Sequence, residues 1–307
     1  MLDIKNVSVK FNSSSQVSAV EDVNMFIEPN SKNVLIGETG SGKSVLLLTI
    51  LKLLPPSAQI SGKIMFENRN LLDMKEKELE KIRGSKIAYI PQGSGNSLNP
   101  LLKIGFQVGE PMIEHNGLNK KNAICKSKEL LKKFHLGRED EIVKSYPNML
   151  SGGMKQRTMV AMGISAGANL ILADEPTKGL DCNRISMVAD CFNSLDNITI
   201  LCVTHDINFA MSIGENISVM YAAQQVEATT KDEFFKNPLH PYSKAMLNAM
   251  PENGLICNVG FAPSHDLYLD SGCRFSHRCE FRTDKCAVTP PMFEKRGHKV
   301  RCWLYAD

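Results

Sequence analysis

An α/β fold built on a phosphate-binding loop, with a mostly helical middle and a small cysteine-containing C-terminal extension, is what this 307-residue sequence predicts. Three observations carry the prediction. The stretch GETGSGKS, residues 37 to 44, lies between the apolar runs NVLI and VLLLTILKLL. Two further runs, NLILADE and NITILCV, read as buried strands that each end in polar residues. Cys273, Cys279, Cys286 and Cys302 then crowd the last part of the chain.

The spacing Gly37-x-x-x-x-Gly42-Lys43-Ser44 is that of a phosphate loop. Across Gly37, Glu38, Thr39, Gly40, Ser41 and Gly42 the glycines let the chain wrap closely, so that backbone N–H groups point inward. Lys43 supplies a charge for β- and γ-phosphates, and the Ser44 hydroxyl can coordinate Mg²⁺. The helix beginning near Lys43 adds the positive end of its dipole. The bland alternative is a glycine-rich turn from strand to helix, and the flanking apolar runs favour nucleotide binding over it.

Composition excludes several classes. Apolar and charged fractions of 43% and 22% are those of a globular chain rather than a disordered one. A formal net charge of +3, with no basic run interleaved with aromatics, gives no reason to expect nucleic acid as a partner. MLDIKNVSVKF alternates like a strand and lacks the apolar centre of a signal peptide, so secretion is not expected. VLLLTILKLLPP is broken by Lys52 and closed by prolines, too short to span a bilayer. Any membrane role is then peripheral.

Three regions follow along the chain. To about residue 91, short β-rich segments (LDIKNVSVKF, GKIMFEN, KIAYI) surround the phosphate loop. From about 92 to 168, ICKSKELLKKFHL and MKQRTMVAMGISA carry apolar residues at helical spacing. The third region returns to α/β. Parallel sheets place their chemistry at the carboxyl ends of strands, which predicts Gly37, Asp174 and His205 on one edge. Asp174 can hold Mg²⁺ through its water shell, and Glu175 beside it can orient or deprotonate an attacking water. Without the upstream loop the same pair would read as a solvated acidic turn.

With LSGGMKQR at 150 to 157 the chain resembles the ATP-binding-cassette (ABC) ATPases, in which this signature follows the phosphate loop. The resemblance implies that Ser151, Gly152 and Gly153 open a helix and bind the γ-phosphate of ATP held by another subunit; a helix N-terminus is an anion site, although a serine-capped helix start would look the same. It further implies that Gln92, in YIPQ, senses Mg²⁺ and the attacking water. His205, in VTHD, matches the histidine that touches the γ-phosphate, and Asp181, in KGLD, the aspartate of a loop crossing the dimer interface. Lys178 and Gly179 depart from the usual residues of that loop. Phe11 stands where an aromatic stacks on adenine, with an ordinary core aromatic as the alternative.

SLNP at 97 to 100, NPLHPYSKAML at 237 to 247 and GCRFSHRC at 272 to 279 narrow the resemblance to the oligopeptide, dipeptide and nickel importer branch, and to its D-type ATPase. GSGNSLNP and the hairpin YAAQQVEATT, which lacks a glycine, are departures outside the catalytic positions. The branch implies an ATPase domain over residues 1–250, with its helical subdomain at about 92–168, and an extension over 251–307. It implies an F-type ATPase, or a second copy of this chain, as dimer partner. Two transmembrane permease subunits, an extracellular substrate-binding protein and a position at the cytoplasmic face of the membrane complete the set. Peptide is the first choice of cargo and nickel or a metal–chelator complex the second. A soluble non-transport cassette ATPase is a further alternative, but the coiled-coil insertions or duplicated cassettes of that class are lacking. An iron–sulfur redox protein would leave the nucleotide motifs idle.

Of nine cysteines, Cys125, Cys182, Cys191, Cys202 and Cys257 lie in apolar segments or near helix ends, which predicts small buried residues. Among the other four the gaps hold five, six and fifteen residues (274–278, 280–285 and 287–301), wider than the two to four of close zinc pairs. That spacing suits a larger ligand shell, and the importer branch implies a [4Fe–4S] cluster on Cys273, Cys279, Cys286 and Cys302. Structural Zn²⁺ and unligated thiols are the alternatives.

Overall fold

The computed structural model describes residues 1–12, 16–93, 97–256, 260–268 and 271–306, which form two compact units. The first comprises 1–27, 33–72 and 214–307; the second comprises 28–32 and 73–213.

The first unit opens with strands Leu2–Asn12 and Gln16–Ile27, antiparallel to each other, with Ala58–Phe66 on the free side of the first. The alternation anticipated at the N-terminus is present with one interruption. Leu2, Ile4, Val7 and Val9 are buried, and the extra residue between Ile4 and Val7 is taken up by a register shift at Asn6, whose φ is 49°. Without that bulge Val7 and Val9 would turn to the wrong face. Strand Lys32–Ile36 runs parallel to Asn216–Tyr221, which forms a hairpin with Gln224–Thr230. The hairpin turn places Ala222 and Ala223 at φ 47° and 70°, a left-handed pair that usually calls for glycine or asparagine. The departure noted in YAAQQVEATT is therefore a backbone held in place by its surroundings.

The second unit carries three parallel strands, Ile87–Ile90, Leu170–Asp174 and Thr199–Thr204, with the middle one paired to both others. Every residue of Leu170–Asp174 and Thr199–Thr204 is buried, as their unbroken apolar runs require. The helical signals resolve as Lys120–Lys133 and Gly152–Ile164, joined by Ile104–Asn116, which contains Pro111. Arg157 locks part of this region together. It is 7% exposed and donates to the carbonyls of Phe134 at 3.1 Å and His135 at 2.8 Å.

The C-terminal extension is tied to the first unit by a buried carboxylate. Glu227, wholly buried on strand Gln224–Thr230, accepts the N–H groups of Leu239 and His240, both at 2.8 Å, and a bond from His298 Nε2 at 2.6 Å. His298 lies on strand His298–Val300, which pairs antiparallel with Gln224–Thr230 and with Phe293–Lys295. Burial pushes the Glu227 pKa up, but the bonds from His298 and the two N–H groups outweigh it and hold the group below 4.5. A depressed carboxylate contributes stability above its unfolded pKa and loses it as pH falls through the folded value. Glu227→Gln is expected to cost roughly 1–3 kcal/mol at neutral pH, because three donors then face a weaker acceptor. Thermal unfolding from pH 7 down to pH about 3 should show the wild type losing more stability on acidification than the variant.

Candidate nucleotide site

Strand Lys32–Ile36 runs straight into the phosphate loop, and helix Lys43–Ile50 leaves it. Gly37 (φ 154°) and Gly42 (φ 99°) are indispensable on two counts: the backbone angle, and a Cβ that would lie 2.1 Å from the Met220 carbonyl oxygen or the Ala19 carbonyl oxygen. Lys43 is 5% exposed and turns back into the loop, donating to the carbonyls of Gly37 at 2.8 Å and Glu38 at 2.9 Å and to Ser41 Oγ at 3.4 Å. These are bonds that phosphate oxygens can replace with a stronger, charge-assisted set. The Ala223 N–H donates to the Ser41 carbonyl at 3.2 Å, so the strained hairpin turn braces the loop. Phe11 is half-buried near the end of its strand, paired with Val17 and Ala58.

In the second unit the parallel register places Asp174 opposite Val203, so the ends of the two strands converge. Asp174 is 3% exposed and accepts a bond from the Tyr89 hydroxyl at 3.1 Å. Burial first and the Asp174 charge second push the Tyr89 phenol far up, which keeps it a donor. Glu175 stands in the left-handed region at φ 47°, its N–H bound to the Val203 carbonyl at 2.9 Å. Its Oε2 lies 2.7 Å from His205 Nδ1. Glu175 is nearly buried while the His205 side chain is 51% exposed, so the histidine both orients the carboxylate and reaches outward. That is the geometry of a general base held by a second group. Gln92 is exposed, two residues beyond strand Ile87–Ile90.

The signature serine does what a capping residue does: Ser151 Oγ accepts the Met154 N–H at 3.3 Å at the start of helix Gly152–Ile164. The first N–H groups of that helix, those of Gly152 and Gly153, have no partner one turn earlier and suit an anion. Asp181 caps helix Cys182–Asn193, accepting the Arg184 N–H at 3.0 Å and pairing with the Arg184 guanidinium at 3.1 Å. The sequence-expected residues thus divide. The phosphate loop and Phe11 belong to the first unit, while Gln92, Ser151 to Gly153, Asp174, Glu175, Asp181 and His205 belong to the second.

Cys273, Cys279, Cys286 and Cys302 all line one cavity of about 370 Å³, shared with Phe275 and Trp303. Burial pushes the Cys273 thiol up to about 11 and raises Cys279 and Cys302, and the neighbouring thiols add to the effect. Among the described residues no group of three or more His, Cys, Asp or Glu side chains is placed to hold a metal ion. Of the remaining cysteines, Cys191 and Cys202 are buried as expected, Cys191 being pushed up to about 12 by burial. Cys125 and Cys182 are exposed, which corrects the expectation of burial. Helix Lys120–Lys133 buries Ala123, Ser127 and Leu131, leaving Cys125 on another face; Cys182 directly follows the Asp181 cap. Cys257 lies outside the described residues.

Four contributors escaped the sequence reading. Tyr89 contacts Asp174, Tyr242 accepts the Glu38 N–H at 3.0 Å through its hydroxyl, and Arg274 and Arg278 reach Glu21 and Glu38. The one available signal was the placing of both arginines beside cysteines in CRFSHRC.

A phosphate loop leading into a helix, together with a buried Asp–Glu pair at the ends of parallel strands, defines the class of nucleotide-hydrolysing phosphate-loop proteins. Residues 20–178 match the ABC transporter family, and residues 226–286 match the family described as oligopeptide/dipeptide transporter, C-terminal region. The chain belongs to the ABC transporter family, as an ATP-hydrolysing cassette. It is 35% identical to the oligopeptide transport ATP-binding protein OppD of Haemophilus influenzae, over 100% of this chain and 98% of that one. It is 37% identical to the oligopeptide transport ATP-binding protein AppD of Bacillus subtilis, over 100% and 97%. Among solved structures it is similar to the ATP-binding cassette MJ0796 in a dimeric post-hydrolysis state bound to ADP and Pi. That similarity has a TM-score of 0.66 and 29% identity, and covers 75% of this chain and 99% of that one.

Glu175→Gln is expected to retain ATP binding while hydrolysis falls by roughly 10²–10⁴-fold, since the amide keeps size but cannot take a proton. Lys43→Ala should instead lose nucleotide affinity. Equilibrium ATP binding and phosphate release, measured side by side on both variants, check the two roles.

Proposed function

We propose that this chain is the ATP-hydrolysing subunit that energises a peptide importer. The observation carrying this reading is similarity over the whole chain to oligopeptide transport ATP-binding proteins, together with the C-terminal match to the oligopeptide/dipeptide family. Lys43 neutralises the β- and γ-phosphates, and the Ser44 hydroxyl and Asp174 hold Mg²⁺ with Gln92 nearby in function. Phe11 stacks on the base. Glu175 takes a proton from the attacking water, and His205 holds Glu175 and meets the γ-phosphate. Ser151, Gly152 and Gly153 serve the nucleotide of a second subunit, an F-type ATPase or a copy of this chain, with Asp181 at the junction.

Nucleotide-driven closure of two such subunits turns a pair of permease subunits, and hydrolysis resets them. Peptide would arrive from an extracellular binding protein. Among the described residues no helix is long and apolar enough to cross a membrane. In this reading the chain sits peripherally at the cytoplasmic face, held there by the permease subunits. Residues 1–250 form the ATPase in this reading and 251–307 its extension. Short peptides as sole amino-acid source should fail to support growth once the gene is deleted, while nickel-dependent enzyme activity persists. The opposite pattern would assign the subunit to metal import.

Cys273, Cys279, Cys286 and Cys302 line one cavity of about 370 Å³, which supports reading the four thiols as a single set of sulfur donors. Cys273, Cys279, Cys286 and Cys302 would hold a [4Fe–4S] cluster, which supplies four Fe–S bonds that cross-link the extension. Protein purified without oxygen should be brown, carry about four iron atoms per chain, and lose them in Cys279→Ser or Cys286→Ser. Colourless protein with about one zinc per chain would decide for Zn²⁺.

A further inference from the structure

The heptapeptide Cys273–Cys279, CRFSHRC, faces two ways. Cys273, Phe275 and Cys279 line the thiol cavity. Arg274 and Arg278 extend instead toward the phosphate loop and its brace. Arg278, with a side chain 9% exposed, places Nη1 at 3.0 Å and 3.4 Å from the two carboxylate oxygens of Glu38. Its guanidinium is seated over Tyr221 at 5.8 Å and Phe275 at 5.6 Å. Arg274 donates to the Glu21 carboxylate and to the Ala222 carbonyl of the strained turn, whose next residue holds the Ser41 carbonyl. Tyr242 completes the link: its hydroxyl accepts the Glu38 N–H at 3.0 Å and its ring packs on Phe275 at 5.6 Å.

Glu38 is the only acidic residue in GETGSGKS. An uncompensated carboxylate in a loop built to hold a polyphosphate repels its ligand, and a guanidinium bound to both oxygens cancels that charge. We propose that Arg278 is a positioning residue for nucleotide binding, which neutralises Glu38, fixes the loop, and carries the packing of the thiol cavity to it through Cys279. The proposal rests on the ATP-binding reading of residues 37–44. Linkage makes it reciprocal: a group that orders the thiols tightens ATP binding, and ATP tightens that group by the same factor.

The test is equilibrium binding of Mg·ATP to the full chain. Arg278→Ala should weaken ATP binding roughly tenfold. Adding Glu38→Gln to that variant should restore most of the affinity, because the repelling carboxylate is gone; a merely structural role would make the double variant worse. Cys279→Ser should weaken binding in the wild-type background and have no further effect in Arg278→Ala. If Arg278→Ala does not fold, Arg278→Gln takes its place with the same expectations. Unchanged affinity in the arginine variant, no restoration by Glu38→Gln, or an equal effect of Cys279→Ser in both backgrounds overturns the proposal. Lys43→Ala separates the two levels: if it binds ATP as the wild type does, the nucleotide reading itself falls, whereas loss of binding there with no effect at Arg278 removes only the positioning role.

Discussion

A loop that wraps a polyphosphate must leave N–H groups for its ligand, so it depends on side chains and neighbouring backbone to hold its shape. Much of the first unit answers that constraint. The carbonyls of Gly37 and Glu38 are satisfied by Lys43, and that of Ser41 by the Ala223 N–H. Gly37 and Gly42 let the loop press against the Met220 and Ala19 carbonyls at distances no Cβ would tolerate. The Glu38 N–H is taken by Tyr242 and its carboxylate by Arg278. Residues far apart in sequence thereby fix Gly37, Glu38, Ser41 and Gly42.

The second unit meets a different demand, that of presenting carboxylates without letting them relax into solvent. Two strands buried at every residue end in Asp174 and Thr204, and the chain turns sharply at Glu175 through a left-handed φ of 47°. Such a conformation costs about 1 kcal/mol or more for a residue with a Cβ and persists only where the surroundings determine it. Here the Val203 carbonyl holds the backbone and His205 holds the carboxylate. Strain, burial and a fixed partner together give Glu175 a carboxylate already oriented in the structure.

Legibility in the sequence followed the range of the interactions. The phosphate loop, the buried strands and the helix starting at the signature serine were readable because each is set by residues a few positions apart. Helix Ile104–Asn116 was not singled out: Pro111 interrupts its pattern. Gly105 and Gly109 weaken it further, yet a Cβ would come within 2.8 Å of Val143 at the first and 3.0 Å of Ser127 at the second. Close helix contact, which no local propensity encodes, explains those glycines. Tyr89, Tyr242 and Arg278 were equally opaque, since their partners lie 85, 204 and 240 residues away. Cys125 and Cys182 show the reverse error, in which an apolar segment or a nearby helix end suggested burial, although Cys125 lies off the buried face of its helix and Cys182 stands at the start of its helix, directly after the Asp181 cap.

The extension is best understood as a buttress with its own fastening. Glu227, itself wholly buried, binds it to the sheet through His298 and also holds the N–H groups of Leu239 and His240, so that removing any one partner leaves a charge or donor uncompensated. Arg301 adds a second fastening, donating to the Gln225 carbonyl at 3.1 Å and to the Asp22 carboxylate at 3.1 Å. Beside this fastening, Arg274 and Arg278 join the thiol cavity to the phosphate loop and its brace through Glu21, Ala222 and Glu38. Under the coupling proposed for Arg278, a segment shared by a cavity and a loop passes a change from one to the other only where its neighbours are held, and the bonds of Glu227 and Arg301 are what hold them.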